Sequence, residues 1–255
     1  MANNGTMPSI DAWQAESLRF TAFPSEVVST DQLSWWDSFV GVPPEAVTSR
    51  PKAGQYEAHG DFEGRRLALQ IQPGRIEWNM KPVVKATDEE LDISLLGPFL
   101  EVLASMSKVV SSWLPHAPAL NRFAFGAVVS QPVEDPRVGL LLLQKYLHTL
   151  TIDPDGSSDV FYQVNRPRPS TRVEGLRMTR LSKWSVQVAQ RVTLVLGPQA
   201  DVMTRALSLE ASCKLELDIN TAPDFGRALP ADRLGALLEE MIDLGREIAQ
   251  KGDVR

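Results

Sequence analysis

The chain has 255 residues, 43% hydrophobic and 23% charged, with a net charge of −6. This is globular composition, which excludes the disordered and fibrous classes, and the length allows one large domain or two of roughly 120 residues. The acidic balance argues against a general nucleic-acid coat, and a single cysteine, Cys213, excludes an intramolecular disulfide.

The opening run, MANNGTMPSIDAW, has neither a basic nor an apolar signal region, so no secretory signal is expected and the expected location is the cytoplasm. Residues 1–12 are polar and expected to fray. From Trp13, Leu18, Phe20 and Ala22 alternate with Arg19, Thr21 and Phe23, a first strand that stops at Pro24. Ser29, Thr30 and Asp31 offer caps for a short helix over 32–40, closed by Gly41 and the pair Pro43–Pro44. Three strands follow, over 55–60, 66–72 and 76–80, separated by turns at Asp61–Gly64 and Pro73–Gly74, an antiparallel meander with one dry side. A charged loop over 87–92 leads to a helix with Pro98 in its first turn. Its stripe includes Val102, Met106, Val109 and Trp113, while Glu101 and Lys108 rule out a membrane span.

The pattern then recurs. Phe123, Phe125, Ala127 and Val129 mark a strand. Asp135 caps and Pro136 starts a helix to about Leu150, and the run Asp153–Gly156 is a turn. Val160, Tyr162 and Val164 make a strand, a loop covers 165–183, and a long strand runs from Trp184 to Leu196 before Gly197–Pro198. In the strand 205–220, Leu207, Leu209, Ala211, Cys213, Leu215, Leu217 and Ile219 face one way, and Ser208, Glu210, Ser212, Lys214, Glu216 and Asp218 the other. A helix over 231–251 with Leu234, Leu237, Leu238, Met241, Leu244 and Ile248 on one stripe closes the chain at Gly252. The fold class is α+β. The element order predicts two βαβββα-like units, 1–117 and 118–255, each an antiparallel sheet with helices on one face. If the chain is such a duplication the two are expected to pair, because each alone would leave a sheet edge uncovered; the alternative is a single irregular α+β domain.

Catalytic chemistry finds little purchase. His59, His116 and His148 fall on separate elements without metal spacing, and no nucleophile elbow, paired-cysteine or phosphate-loop motif occurs. No catalytic residue, metal ligand or cofactor is assigned. Cys213, on an apolar face, is expected to pack as a small hydrophobe. The acids Glu210, Glu216 and Asp218 share the wet face of one strand, but Lys214 among them is the mark of a solvated face. The unusual stretch is 165–183, where Arg166, Arg168, Arg172, Arg177, Arg180 and Lys183 stand against one acid, Glu174. It reads as a solvated hairpin connection, as a grip for phosphates, or as a match for an acidic protein surface, including the chain's own last helix with Glu239, Glu240 and Asp243. Aromatic residues are absent from it, against a base-stacking role. The adjacent Trp35 and Trp36 point about 100° apart on a helix, so one is core and the other is available as an interface residue.

The run 69–80, LQIQPGRIEWNM, the run 217–225, LDINTAPDF, and the closing helix resemble an uncharacterised family of sporadically distributed bacterial proteins of about this length. The resemblance covers most of the chain in element order and rests on patterning and turns. It implies no established activity, and its patchy distribution implies an accessory or defence-related role. The leading expectation is a non-enzymatic binding or assembly protein, an oligomer or a subunit of a complex, with a protein partner or self-association and no membrane contact. The candidate binding residues are the six cations of 166–183 with Trp35 and Trp36. The alternatives are nucleic-acid binding through 166–183, and an enzyme using the acids of 205–220.

Overall fold

Alternating strands bury one set of side chains and leave the other wet, and the chain meets this demand with a single sheet. The computed structural model describes residues 8–31, 33–83, 95–196 and 202–254; for 189–196 and 202–209 the description is of the backbone. The loop expected over 87–92 and the Gly197–Pro198 turn lie outside the described residues.

The strands are β1 (Gln14–Pro24), β2 (Ala46–Arg50), β3 (Gln55–Phe62), β4 (Arg65–Gln72), β5 (Arg75–Lys81), β6 (Gly97–Pro98), β7 (Leu120–Val133), β8 (Phe161–Asn165), β9 (Arg168–Pro169), β10 (Arg177–Leu196) and β11 (Val202–Thr221). They form one antiparallel sheet in the order β2-β3-β4-β5-β1-β7-β11-β10-β8, with β6 on β1 and β9 on β10. The helices are α1 (Trp35–Val40), α2 (Phe99–Trp113), α3 (Pro136–Tyr146) and α4 (Leu234–Lys251).

The dry face is the one that alternation predicts. Leu18 and Phe20 of β1, Trp78 and Met80 of β5, Phe123 and Phe125 of β7, and Cys213, Leu215, Leu217 and Ile219 of β11 are all buried. The helices dock on this side. Trp113 of α2 meets Trp78 with ring centroids 6.4 Å apart. Gly139 of α3 lets the helix backbone approach Val186 of β10; a Cβ there would sit 2.7 Å from Val186 Cγ1. Gly245 does the same for α4 over Phe125.

Several boundaries differ from the sequence reading. Ser9 caps a 3-10 turn over Ile10–Ala12, so the end of the segment expected to fray is ordered by its hydroxyl accepting from the Asp11 N–H. Pro98 is the N-cap of α2. Asp135 caps α3, its Oδ1 accepting from the Val138 N–H at 2.8 Å, but the helix ends at Tyr146 rather than near Leu150. The Gln144 side chain donates to the Leu150 carbonyl and accepts from the Ile152 N–H, both at 2.6 Å, and so replaces helical partners beyond Tyr146. The loop expected over 165–183 is shorter, since β10 already begins at Arg177. β2, fully exposed along its length, carries no apolar alternation and gave no strand signal.

The end of α4 locks onto α3. Gly252 sits at φ 76°, ψ −150°, the Asp253 N–H donates to the Tyr146 carbonyl at 3.0 Å, and a Cβ on Gly252 would collide with that carbonyl. Gly252→Ala should therefore cost about 3 kcal/mol or more in urea unfolding. Gly235→Ala, in open space within α4, should instead add about 0.4–1 kcal/mol. Burial pushes the Cys213 thiol up to about 12. A disulfide reagent at about pH 8 should leave it unmodified in the folded chain and label it on unfolding.

Candidate functional site

The wet face is built from registered rows. Arg19, Gly126 and Asp218 lie opposite one another on β1, β7 and β11. Because Gly126 has no side chain, Arg19 crosses it and reaches Asp218 at 3.6 Å. In the next row Lys183 pairs with Glu216 at 3.3 Å, and beyond it Lys214 pairs with Glu16 at 2.8 Å. Asn220 donates to Asp218 at 3.0 Å. The hollow over this surface, lined by Ser17, Arg19, Val128, Lys183, Glu216 and Asp218, holds about 100 Å³, small beside the several hundred Å³ of a usual ligand pocket. Glu216 and Asp218 are thus each matched to a cation. Among the described residues no group of three His, Cys, Asp or Glu side chains could hold a metal.

Of the six cations of 166–183, five are ion-paired within the chain. Arg166 forks onto Asp253, with Nη2 to Oδ2 at 2.7 Å and a second bond from Nε to Oδ1. Arg168 Nη1 reaches Glu247 at 2.7 Å and Arg180 Nη2 reaches it at 3.2 Å. Arg177 pairs with Asp224 at 2.9 Å, and Lys183 with Glu216. Arg172 is exposed. Between these pairs, Thr171 N–H and Oγ1 donate to Glu240 Oε1 at 2.6 and 2.9 Å, and Ser170 Oγ donates to its Oε2 at 2.6 Å. Arg166, Arg168 and Arg180, with Ser170 and Thr171, are therefore tied to α4 and its end by Glu240, Glu247 and Asp253. Glu240 belongs to the acidic cluster visible in the sequence. Glu247 was readable as its neighbour two helical turns on, at i+7, whereas Glu239 and Asp243 do not join this network.

The electrostatics follow the pairing. Arg166 holds Asp253 below the usual carboxylate range, and Asp253 holds Arg166 above its ordinary value. Burial pulls Arg180 down, and Arg168 adds to the effect. Tyr162 is raised by burial and by its contact with Asp253, to which its hydroxyl donates at 2.8 Å.

The two tryptophans separate. Trp36 is enclosed, donating its indole N–H to the Val42 carbonyl at 2.8 Å. Trp35 is half-buried against Trp113, centroids 5.7 Å apart, and keeps part of its surface for solvent.

The feature that sequence reasoning missed is the outer half of the β10–β11 hairpin. β10 and β11 pair from Met178↔Thr221 to Leu196↔Val202. β8 pairs β10 only as far as Ser185, and β7 pairs β11 only as far as Ala211, opposite Val188. Beyond those rungs, 189–196 and 202–210 pair with each other and with no other described strand. They form a two-stranded arm about 26 Å long. A bulge sits in it where Arg191↔Ser208 gives way to Val192↔Ala206. Ten of these seventeen residues are apolar, and three are charged: Arg191, Arg205 and Glu210. The two strands were plain in the sequence; that no other described strand flanks their outer rungs was not.

The chain matches no family model and no curated protein. No described helix is long and apolar enough to cross a membrane.

Asp253→Asn, which keeps the shape and removes the charge, should cost about 2–3 kcal/mol. A carboxylate with a depressed folded pKa contributes fully above its unfolded pKa of about 3.9 and loses that contribution as pH falls through the folded value. The parent chain should therefore show an acid-destabilised limb below about pH 4 that is weaker in Asp253→Asn, read by chemical unfolding at stepped pH.

Proposed function

We propose that this chain is a non-enzymatic assembly protein that forms an oligomer or joins a complex through the β10–β11 arm. The observation that carries the reading is the arm itself: 189–196 and 202–210 pair only with each other while being mostly apolar in sequence. A two-stranded ribbon with no further strand paired to it is marginal in water. Both of its outer edges offer unpaired backbone groups to another strand. A partner that covers it supplies the missing layer.

The same reading includes an internal duplication. From edge to centre the first unit runs β3, β4, β5, β1, and the second runs β8, β10, β11, β7. Each is the second, third, fourth and then first strand of a βαβββα unit, and the two first strands meet in the middle. β2 has no counterpart in the second unit. The resemblance to sporadically distributed bacterial proteins would place such an assembly in an accessory or defence-related role.

The alternatives draw less support. A phosphate-gripping loop needs cations to spare, and five of the six in 166–183 have carboxylate partners within the chain. Acid–base catalysis on β11 needs Glu216 or Asp218 beside a substrate cavity, and both lie in ion pairs on an open face.

The test is the intact mass of the full chain by light scattering and native mass spectrometry, beside a variant in which Val188–Ala211 is replaced by Asn-Gly. That turn joins Gln187 to Ser212, a registered pair. The full chain should be oligomeric, alone or with a captured partner, and the variant a monomer of similar melting temperature. A full chain monomeric and partnerless at all concentrations would sink the proposal, as would a variant that keeps the parent assembly.

A further inference from the structure

We infer that the crevice between β8, β10 and the end of α4 is a binding site for one small anion of chloride size. It is lined by Arg166, Arg180, Ser182, Gly252, Asp253 and Val254 among others. Its room, about 10 Å³, is that of one water or one monoatomic ion.

Two observations select the anion. The first is an orphaned guanidinium. Arg180 is 1% exposed, its Nη2 serves Glu247, and its Nε and Nη1 have no partner. These atoms carry three N–H donors and no acceptor, and leaving buried donors unmade is costly. The second is the local charge. Among the described residues, Arg166, Arg180 and Lys251 share two carboxylates, Asp253 and Glu247, and Arg168 also draws on Glu247. Asp253 is fully engaged by the Arg166 fork and the Tyr162 hydroxyl. The carbonyl end of α4 supplies only about half a negative charge. Ser182 accepts from the Trp184 indole at 3.1 Å, which leaves its own hydroxyl proton to donate. Donors and positive charge converge here, and a monoatomic anion satisfies both. A water would bring two more protons and no charge. Burial, and then Arg168 and Arg166, pull Arg180 below its ordinary value, which agrees with a guanidinium short of counter-charge.

The experiment is chemical unfolding of the full chain in sodium chloride against sodium gluconate at equal ionic strength, gluconate being too large for the crevice. Between about 1 mM and about 100 mM chloride, the folded-to-unfolded ratio should rise roughly tenfold for a dissociation constant near 10 mM, and stay flat in gluconate. Arg180→Met should fold, because Glu247 keeps Arg168 and Lys251, and should lose the chloride response. Equal stability in the two salts would show that the crevice holds water only and overturn the inference, as would an undiminished response in Arg180→Met. If that variant does not fold, the chloride NMR linewidth of the parent chain decides. Broadening that excess bromide relieves supports the site, and no broadening overturns it. Neither readout depends on the oligomeric state assigned to the arm.

Discussion

The antiparallel seam between β1 and β7 holds the rest of the structure together. It runs from Gln14↔Ser130 to Pro24↔Leu120, and it is the one strand pairing that joins residues 1–117 to 118–255 among the described residues. On its dry side Phe20 lies opposite Phe125, with ring centroids 5.0 Å apart and planes 25° from parallel. Burying each ring is worth about 1.5–3 kcal/mol and the stacked pair about 0.5–1.5 more. Without the seam each half would end in a long central edge with its apolar face half covered, the arrangement most open to mispairing. The seam also fixes the helices. Gly245 brings α4 down onto Phe125, and from there α4 reaches Trp13, whose indole N–H donates to the Ala249 carbonyl at 2.8 Å. One aromatic pair thereby ties the first strand, the central strand and the last helix into a common core.

The charge pattern follows from that docking. With α4 held over β10, its face carrying Glu240 and Glu247 meets Arg168, Thr171 and Arg180 at hydrogen-bonding distance, so part of a strongly basic stretch is tied to the last helix. Burying Arg180 under a helix is tolerable only because Glu247 lies within reach, and even so part of the guanidinium is left over. On the opposite face the same logic runs in water: cations and carboxylates alternate across strands, and the hollow over them holds about 100 Å³.

Much of this was legible in the sequence, and what was not has identifiable causes. The alternation of 205–220 predicted the strand and the inward Cys213, because period-two patterning over so many residues has no helical reading. The Asp135–Pro136 start of α3 was legible because capping is local chemistry. Its end was not, because Gln144 folds back on the chain beyond it, a choice no periodicity encodes. β2 was invisible because an edge strand in water needs no apolar face. The destiny of 166–183 turned on partners from Glu240 to Asp253, and proximity across that separation is a property of the fold. Trp35 and Trp36 were separable into inner and outer residues by the helical turn alone, but which one faced inward depended on the position of Trp78.

The hairpin β10–β11 shows how one pattern can carry two meanings. Over 211–219 the apolar residues of β11 are buried because β7 flanks the strand and helices lie beneath it. Over 207–209 the alternation continues and then breaks at Arg205–Ala206, beside the bulge, while β7 has ended and no further described strand pairs with β11 there. Apolar residues thus continue past the last rung shared with β7, and charge is sparse among them, since Arg191, Arg205 and Glu210 are the only charged residues in the paired ribbon. Nor is the ribbon simply an ornament on a turn: a two-residue connection between Gln187 and Ser212 would have closed the hairpin at the sheet boundary. The added rungs have no other described strand at either edge, which is the feature on which the proposed assembly role rests.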